Sequence, residues 1–358
     1  MKLGIIGLPG AGKTTIFNAL TRGDAPTGQS MGGRFDVLTA IVDVPDERVD
    51  VLSRMYKPKK TTYARVTYED IAGLQKGMGE SGGMSGPLLN HLAQVDGYVH
   101  VLRAFEDEQN PHPDGSVDPA RDLATLDAEF LINDLVLVEG KLERLSEGLC
   151  KGAYKNRAAA EAERLLFERL SETLSAEQPL RTLDLTEEEE KTIRDYGFLT
   201  LKPVLVVVNL GDDQPEIDLA YDFPHSRVTH LRGKLEAELS QLSGEDLEIF
   251  MAEYGVTELG LARVIRLSYE LMGLQSFFTV GDDEVRAWTV RKGATAVEAA
   301  GTIHTDLAKG FIRAETVAYS DLAALKGMAE ARSAGKLRQE GKTYVVQDGD
   351  IVHVKFNL

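Results

Sequence analysis

The sequence contains one cysteine, Cys150, and one tryptophan, Trp288, among 358 residues. A lone cysteine excludes an internal disulfide framework and a cysteine metal cluster, and fits a reducing compartment. Long apolar runs are also missing. Leu3 to Ile6 is interrupted by Gly4 and ended by Gly7, too brief for a signal peptide, and no run approaches the roughly 20 residues of a membrane span. The expectation is a cytoplasmic protein with no membrane partner. Basic residues are the minority, 40 Lys and Arg against 57 Asp and Glu, for a formal net charge of −17. The long-range field therefore repels nucleic acid and argues against specific DNA binding. This deficit is uneven: from Gln275 onward the chain carries 11 basic and 11 acidic residues.

What is present is alternation of short apolar runs with helical periodicity, over a length suited to about two to three domains. Lys2 to Ile6 passes through a Gly-rich turn into a segment where Ile16, Phe17 and Leu20 follow helical spacing. Ala64 to Tyr68, Tyr98 to Leu102 and Val204 to Val208 read as further strands, the last two apolar throughout, as parallel strands covered on both faces are. The class is α/β, doubly wound. From Leu123 to Leu174, leucines recurring at three and four predict two long helices joined near Gly148 to Gly152 as an antiparallel hairpin, the leucines forming its core side. Thr186 before Glu187 to Glu190 opens a short helix. After Gln275 the period drops to two: Glu284 to Val290, Phe311 to Tyr319, Thr343 to Val346 and Ile351 to Phe356 alternate around a helix capped by Thr295 and running to Lys309. These make a small α+β domain, in which Trp288 reads as core.

The segment from Gly7 to Thr14, GLPGAGKT, fits G-x-x-x-x-G-K-[ST] and lies between the strand and helix that this motif requires. Phosphate oxygens need converging N–H donors, so the backbone must approach closely. Gly10, Ala11, Gly12, Lys13, Thr14 and Thr15 supply that path and the helix N-terminus behind it. Lys13 would meet the β- and γ-phosphates, and Thr14 would ligate Mg2+. Asp70-Ile-Ala-Gly73 follows a strand, so Asp70 is the second candidate metal ligand and the Gly73 N–H a γ-phosphate donor. Five glycines between Gly77 and Gly86 read as a switch loop. Asn209-Leu-Gly-Asp212 lies at the carboxyl edge of a buried strand, where such a sheet places its ligand: Asn209 would fasten two loops together and Asp212 would read a guanine. No catalytic base is identifiable.

With these motifs in this order, the chain resembles the YchF family of the Obg-related P-loop NTPases. Gly273 to Thr279, Glu284 to Thr289, Ala300 to Asp306, Lys309 to Glu315 and Asp348-Gly-Asp350 look like that family's TGS domain. The resemblance implies a P-loop G domain over 1–122 and 200–274, an inserted antiparallel helical hairpin over 123–199, and a C-terminal β-grasp (TGS-like) domain over 275–358. It implies an ATP- or GTP-binding, Mg2+-dependent hydrolase acting as a slow switch at the ribosome or ribosomal RNA, or in stress responses. Leu74 stands where Ras-like enzymes carry a water-orienting Gln, with Gln75 one place further on. Three departures stand out: Gly10-Ala11 replaces the family's Asn-Val; Met31 to Phe35, with Arg34, replaces a first-switch stretch whose Thr caps Mg2+, leaving Thr27 and Thr39 as substitutes; and Leu210 replaces the lysine that stacks on guanine. The family leans toward ATP, Asp212 toward GTP.

Two other functions fit the same residues: a nucleotide-gated binding module with vestigial hydrolysis, and a P-loop kinase, against which the Asp70 motif and the TGS-like tail argue. A ribosomal partner needs local basic surface. Lys57, Lys59, Lys60 and Arg65 form one candidate, and Lys326, Arg332, Lys336, Arg338 and Lys342 a second. His304, near Asp306, reads as a packing and hydrogen-bonding residue.

Overall fold

The computed structural model describes residues 1–21, 23, 37–74, 77, 84–242, 244–253 and 258–357. The first-switch residues Thr27 and Met31 to Phe35, Gln75 and most of the Gly77 to Gly86 loop lie outside them. Along the chain come β1 (Lys2–Ile6), α1 (Lys13–Thr21), β2 (Val37–Asp43), α2 (Glu47–Tyr56), β3 (Lys60–Thr62), β4 (Arg65–Ile71), α3 (Gly86–Gln94), β5 (Gly97–Arg103), α4 (Pro119–Cys150), α5 (Arg157–Ser175), α6 (Glu187–Ile193), β6 (Val204–Asn209), β7 (Ser226–Leu231), α7 (Gly233–Leu239), α8 (Glu245–Glu253), α9 (Gly260–Leu271), β8 (Leu274–Thr279), β9 (Glu284–Arg291), α10 (Ala296–Ile303), α11 (Thr305–Lys309), β10 (Phe311–Ala318), α12 (Tyr319–Leu325), α13 (Met328–Ser333), β11 (Arg338–Glu340) and β12 (Asp350–Phe356). No described helix is long and apolar enough to cross a membrane. The chain forms two compact units, residues 1–40 with 67–264 and residues 41–66 with 265–358.

The first unit is built on a sheet of order β2-β4-β1-β5-β6-β7, with β4, β1, β5, β6 and β7 paired in parallel. Every residue of β5 and β6 is buried, as their unbroken apolar runs require. Sequential strands leave β1 toward β4 on one side while β5 lies on the other, so the loop after β1 opens at the topological switch point. Helices α3 and α4 cover one face through Leu88, Leu92, Leu126 and Phe130, the last tilted on Tyr98 with ring centroids 5.3 Å apart.

The hairpin forms from α4 and α5, and its turn falls after Cys150, where α4 ends, somewhat later than the glycines suggest. Val138, Leu145, Leu166, Phe167 and Leu170 bury their side chains together, so the leucine pattern is core. Helix α5 is capped by Asn156, which accepts from the Ala159 N–H, and α6 by a capping box of Thr186 with Glu189, as its sequence signals. Asp134 of α4 is fully buried and accepts from the Leu199 N–H at 3.0 Å and from the Thr200 N–H and hydroxyl at 2.8 and 2.7 Å.

The second unit carries a mixed sheet of order β11-β10-β12-β8-β9-β3, with β12 parallel to β8 at its centre, antiparallel neighbours β10 and β9, and β3 added parallel to β9. Helix α10 lays Ala296, Ala299 and Ala300 against Phe277, Phe311 and Val352, which is the β-grasp arrangement. Four expectations change here. Thr343 to Val346 is no strand but makes one isolated bridge, Thr295 to Val345, because its backbone bonds Ala294 and Ala296 at the start of α10. The helix from Thr295 breaks at His304, whose backbone is extended (φ −162°, ψ 141°) and whose imidazole Nδ1 caps α11 by accepting from the Asp306 N–H. Residues 41–66 fold with the C-terminal chain: Arg48 of α2 donates to Asp348 at 2.7 Å and stands 5.1 Å over the Phe278 ring. Trp288 is only half-buried, stacked on Phe277 with the Arg286 guanidinium 3.9 Å from its ring centroid, a core-edge position rather than a core one.

Candidate functional site

The loop between β1 and α1 takes the shape that its glycines permit. Gly10 and Gly12 have φ of +77° and +90°, and a Cβ on Gly12 would lie 2.3 Å from the Asn209 amide, so glycine is required there. Lys13 opens α1 and folds back, donating to the Gly7 and Leu8 carbonyls at 2.9 and 3.0 Å, which holds the loop around its ammonium. Burial pushes its pKa down to about 8 against the pull of Asp70. The Thr14 hydroxyl donates to Asp70 Oδ2 at 2.8 Å. Register explains this contact across 56 residues: β4 lies beside β1 with Ile5 opposite Asp70, two positions before the loop begins. Asp70 sits inside β4 rather than after it, the strand running to Ile71, and its pKa is raised by burial. Its second oxygen, Oδ1, is buried without a partner. A hydroxyl bonded to a carboxylate with one free buried oxygen is a donor set that fits a hard divalent cation.

Asn209 ends β6 and does what its position suggests. Its amide donates to the Ala11 carbonyl at 3.0 Å and accepts from the Gly233 N–H at 2.9 Å, tying the phosphate loop to the start of α7. Asp212 is exposed, and its carbonyl is held by Arg232 Nε at 2.9 Å. Leu210 is 2 % exposed and belongs to the core with Val208 and Phe130, so its side chain is not brought to the open edge; a leucine gains more from that core than from stacking in water. Gly73 is exposed with φ +97°, and Leu74 beside it is buried in the same core, which removes it from any role toward water. Thr15 lies in the first turn of α1, and Thr39 is exposed in β2.

Three further residues near these loops were not singled out from the sequence. Arg103, at the end of β5, is 2 % exposed, donates from Nε to the Phe105 carbonyl at 3.0 Å and lies 4.9 Å over the Phe105 ring. His100, opposite Ile6 in the sheet, is held neutral by burial and then by Lys13, its pKa lowered to about 3. Glu129 of α4 accepts from the Gly77 N–H at 2.7 Å. An arginine and a histidine inside an apolar strand were the available clues.

Most residues of the two basic stretches have acidic partners. Lys59 pairs with Asp283 at 2.8 Å, Lys60 with Glu284 at 3.5 Å and Arg65 with Asp43 at 2.9 Å. In the other, Arg332 faces Glu315, Lys336 faces Asp321 and Arg338 faces Asp350. The acids come from other strands, a turn and a helix, out of sight of a local count.

A glycine loop closing on a lysine at a helix start, with a hydroxyl–carboxylate pair beside it and an Asn clamp across it, defines a P-loop NTPase domain. The family model described as "50S ribosome-binding GTPase" matches residues 2–135, and one described as "Protein of unknown function (DUF933)" matches residues 274–357. The chain is 41 % identical to the ribosome-binding ATPase YchF of Bacillus subtilis, covering 99 % of each chain, and 39 % identical to that of Escherichia coli O157:H7 over 100 % and 99 %. The Schizosaccharomyces pombe YchF GTPase structure superposes with a TM-score of 0.85 at 35 % identity, covering 99 % of this chain and 97 % of that one. The chain belongs to the YchF family.

Proposed function

We propose that this chain is a slow, Mg2+-dependent nucleoside triphosphatase that prefers ATP and works at the ribosome in the cytoplasm. The observation that carries the reading is the Thr14–Asp70 contact beside Lys13, with Asp70 Oδ1 buried and free. The names of the Bacillus and Escherichia relatives, ribosome-binding ATPases, support the base preference and the partner. The functional division follows the G domain (1–122 and 200–274), hairpin (123–199) and TGS-like domain (275–358), with 41–66 contributed to the last.

In this mechanism the Lys13 ammonium offsets charge on the β- and γ-phosphates, and the loop N–H groups from Gly10 to Thr15 fix their position. Thr14 and Asp70 would hold Mg2+, which supplies charge stabilisation on the phosphoryl oxygens when bound. Gly73 offers an N–H to the γ-phosphate, and Asn209 keeps Ala11 in place. Leu74, being buried, orients no water, so turnover depends on positioning and electrostatics and is slow. The paired lysines and arginines remain available to RNA phosphate, since surface ion pairs are worth little, about 0–1 kcal/mol.

Calorimetry with non-hydrolysable ATP and GTP analogues in Mg2+, on wild type, Lys13→Ala and Asp212→Ala, tests the reading together with cosedimentation on ribosomes. Tight ATP binding lost in Lys13→Ala and indifferent to Asp212→Ala is expected. Tight GTP binding lost in Asp212→Ala would overturn the base preference, and Lys13→Ala affinity equal to wild type would overturn the site.

A further inference from the structure

We propose that Arg103 is a second cation of the phosphate site, acting on the bound polyphosphate across the backbone of Gly10. The inference rests on the nucleotide-binding reading above and adds a residue to it. Arg103 is the last residue of β5, paired in register with Asn209, so it emerges at the same sheet edge as the phosphate loop. Its guanidinium reaches the loop itself: a Cβ on Gly10 would stand 3.1 Å from Nη1, and φ there is +77°.

The guanidinium is buried, yet no described carboxylate forms an ion pair with it, and Nη2 has no hydrogen-bond partner. Exposed Asp107 feels its charge without pairing. A buried cation left without an anion is costly, and proteins retain such groups where a ligand brings the opposite charge. Lys13, also desolvated, opens the helix behind the same loop, and Asp70 is the carboxylate that acts on Lys13. The Nε bond to Phe105 and the ring beneath hold the fork in place before any ligand arrives, so the positive potential is preorganised. Arg103 is on this account a positioning and electrostatic residue rather than a group that touches the reacting atoms.

The test is an affinity series, AMP, ADP and a non-hydrolysable ATP analogue in Mg2+, on wild type, Arg103→Met and Arg103→Lys, with melting temperatures of the nucleotide-free proteins. If Arg103 acts by charge, the loss in Arg103→Met grows along the series, reaching about tenfold or more for the triphosphate, while the nucleotide-free protein melts no lower than wild type. Arg103→Lys, which keeps the charge, stays near wild type throughout. An equal loss for all three ligands, or no loss, overturns the proposal, and so does a lowered nucleotide-free melting temperature with unchanged affinities. If Arg103→Met does not fold, the Arg103→Lys series decides: a uniform loss overturns the charge role, near-wild-type values support it. Failure of wild type to bind any member would instead refute the underlying site.

Discussion

Asn209 ties the phosphate loop to the start of α7 by two hydrogen bonds, and its removal is the sharpest perturbation available. It is 4 % exposed, donating to Ala11 and accepting from Gly233, with Gly12 packed against its amide. Asn209→Ala leaves a buried carbonyl and a buried N–H unsatisfied. At about 1–3 kcal/mol each, the loss is about 2–6 kcal/mol, or a fall of roughly 8–16 °C in melting temperature for a mid-range loss of about 4 kcal/mol. Asn209→Asp separates the two bonds. It keeps the acceptor for Gly233 but sets a carboxylate oxygen against the Ala11 carbonyl where a donor stood. Its stability loss should be no smaller than that of the alanine variant, because an unpaired carboxylate is buried against a carbonyl oxygen, and its nucleotide affinity falls further because negative charge now abuts the phosphate loop. Differential scanning fluorimetry without nucleotide and calorimetry with an ATP analogue read the two effects. A melting temperature within about 2 °C of wild type together with an unchanged dissociation constant for Asn209→Ala would refute the clamp.

Four further outcomes follow from other contacts. Because the free Lys13 ammonium titrates near pH 8 and a bound phosphate would hold its proton, nucleotide affinity should fall as pH rises above 8, with proton uptake per bound nucleotide at pH 8.5 detectable by calorimetry in buffers of differing ionisation enthalpy; Lys13→Ala should abolish that uptake. Stability runs the other way: the unfolded lysine keeps its proton to near its ordinary pKa of 10.5, so the cost of burying the ammonium, present below pH 8, is relieved between pH 8 and 10.5, and Lys13→Met should flatten that rise in a denaturant titration. Arg48→Met, which gives up the Asp46 and Asp348 contacts and the cover over Phe278, should destabilise the second unit by about 2–3 kcal/mol with nucleotide affinity unchanged. Asp134→Ala strands the Leu199 and Thr200 donors in the interior and should cost about 3–5 kcal/mol, visible as a lower urea midpoint, with Asp134→Asn recovering part of it.

The core strands were legible because they announce themselves locally. β1 matches the run from Lys2 to Ile6 residue for residue, and β5 and β6 exceed their apolar runs by a residue or two at each end at most. The phosphate loop was legible for a different reason: closing a backbone around an anion demands glycine and lysine at set spacing, and few other structures do. Three-residue strands such as β3 and β11 carry too little pattern to register. The run from Thr343 to Val346 carries a pattern but gives its hydrogen bonds to the start of α10. Leu210 was a question of competition between an open edge and an apolar core, and the core prevailed.

By itself the sequence determined the class of fold, the phosphate loop and the carboxylate that accompanies it, since each depends on residues within one or two turns of the chain. Only the tertiary structure decided that residues 41–66 fold with the C-terminal sheet, that most residues of the basic stretches are met by acids from other elements, and that a buried arginine stands behind Gly10. Those are pairings between residues tens to hundreds of positions apart. Their energies depend on burial and distance, and neither quantity exists until the strands have been brought into register.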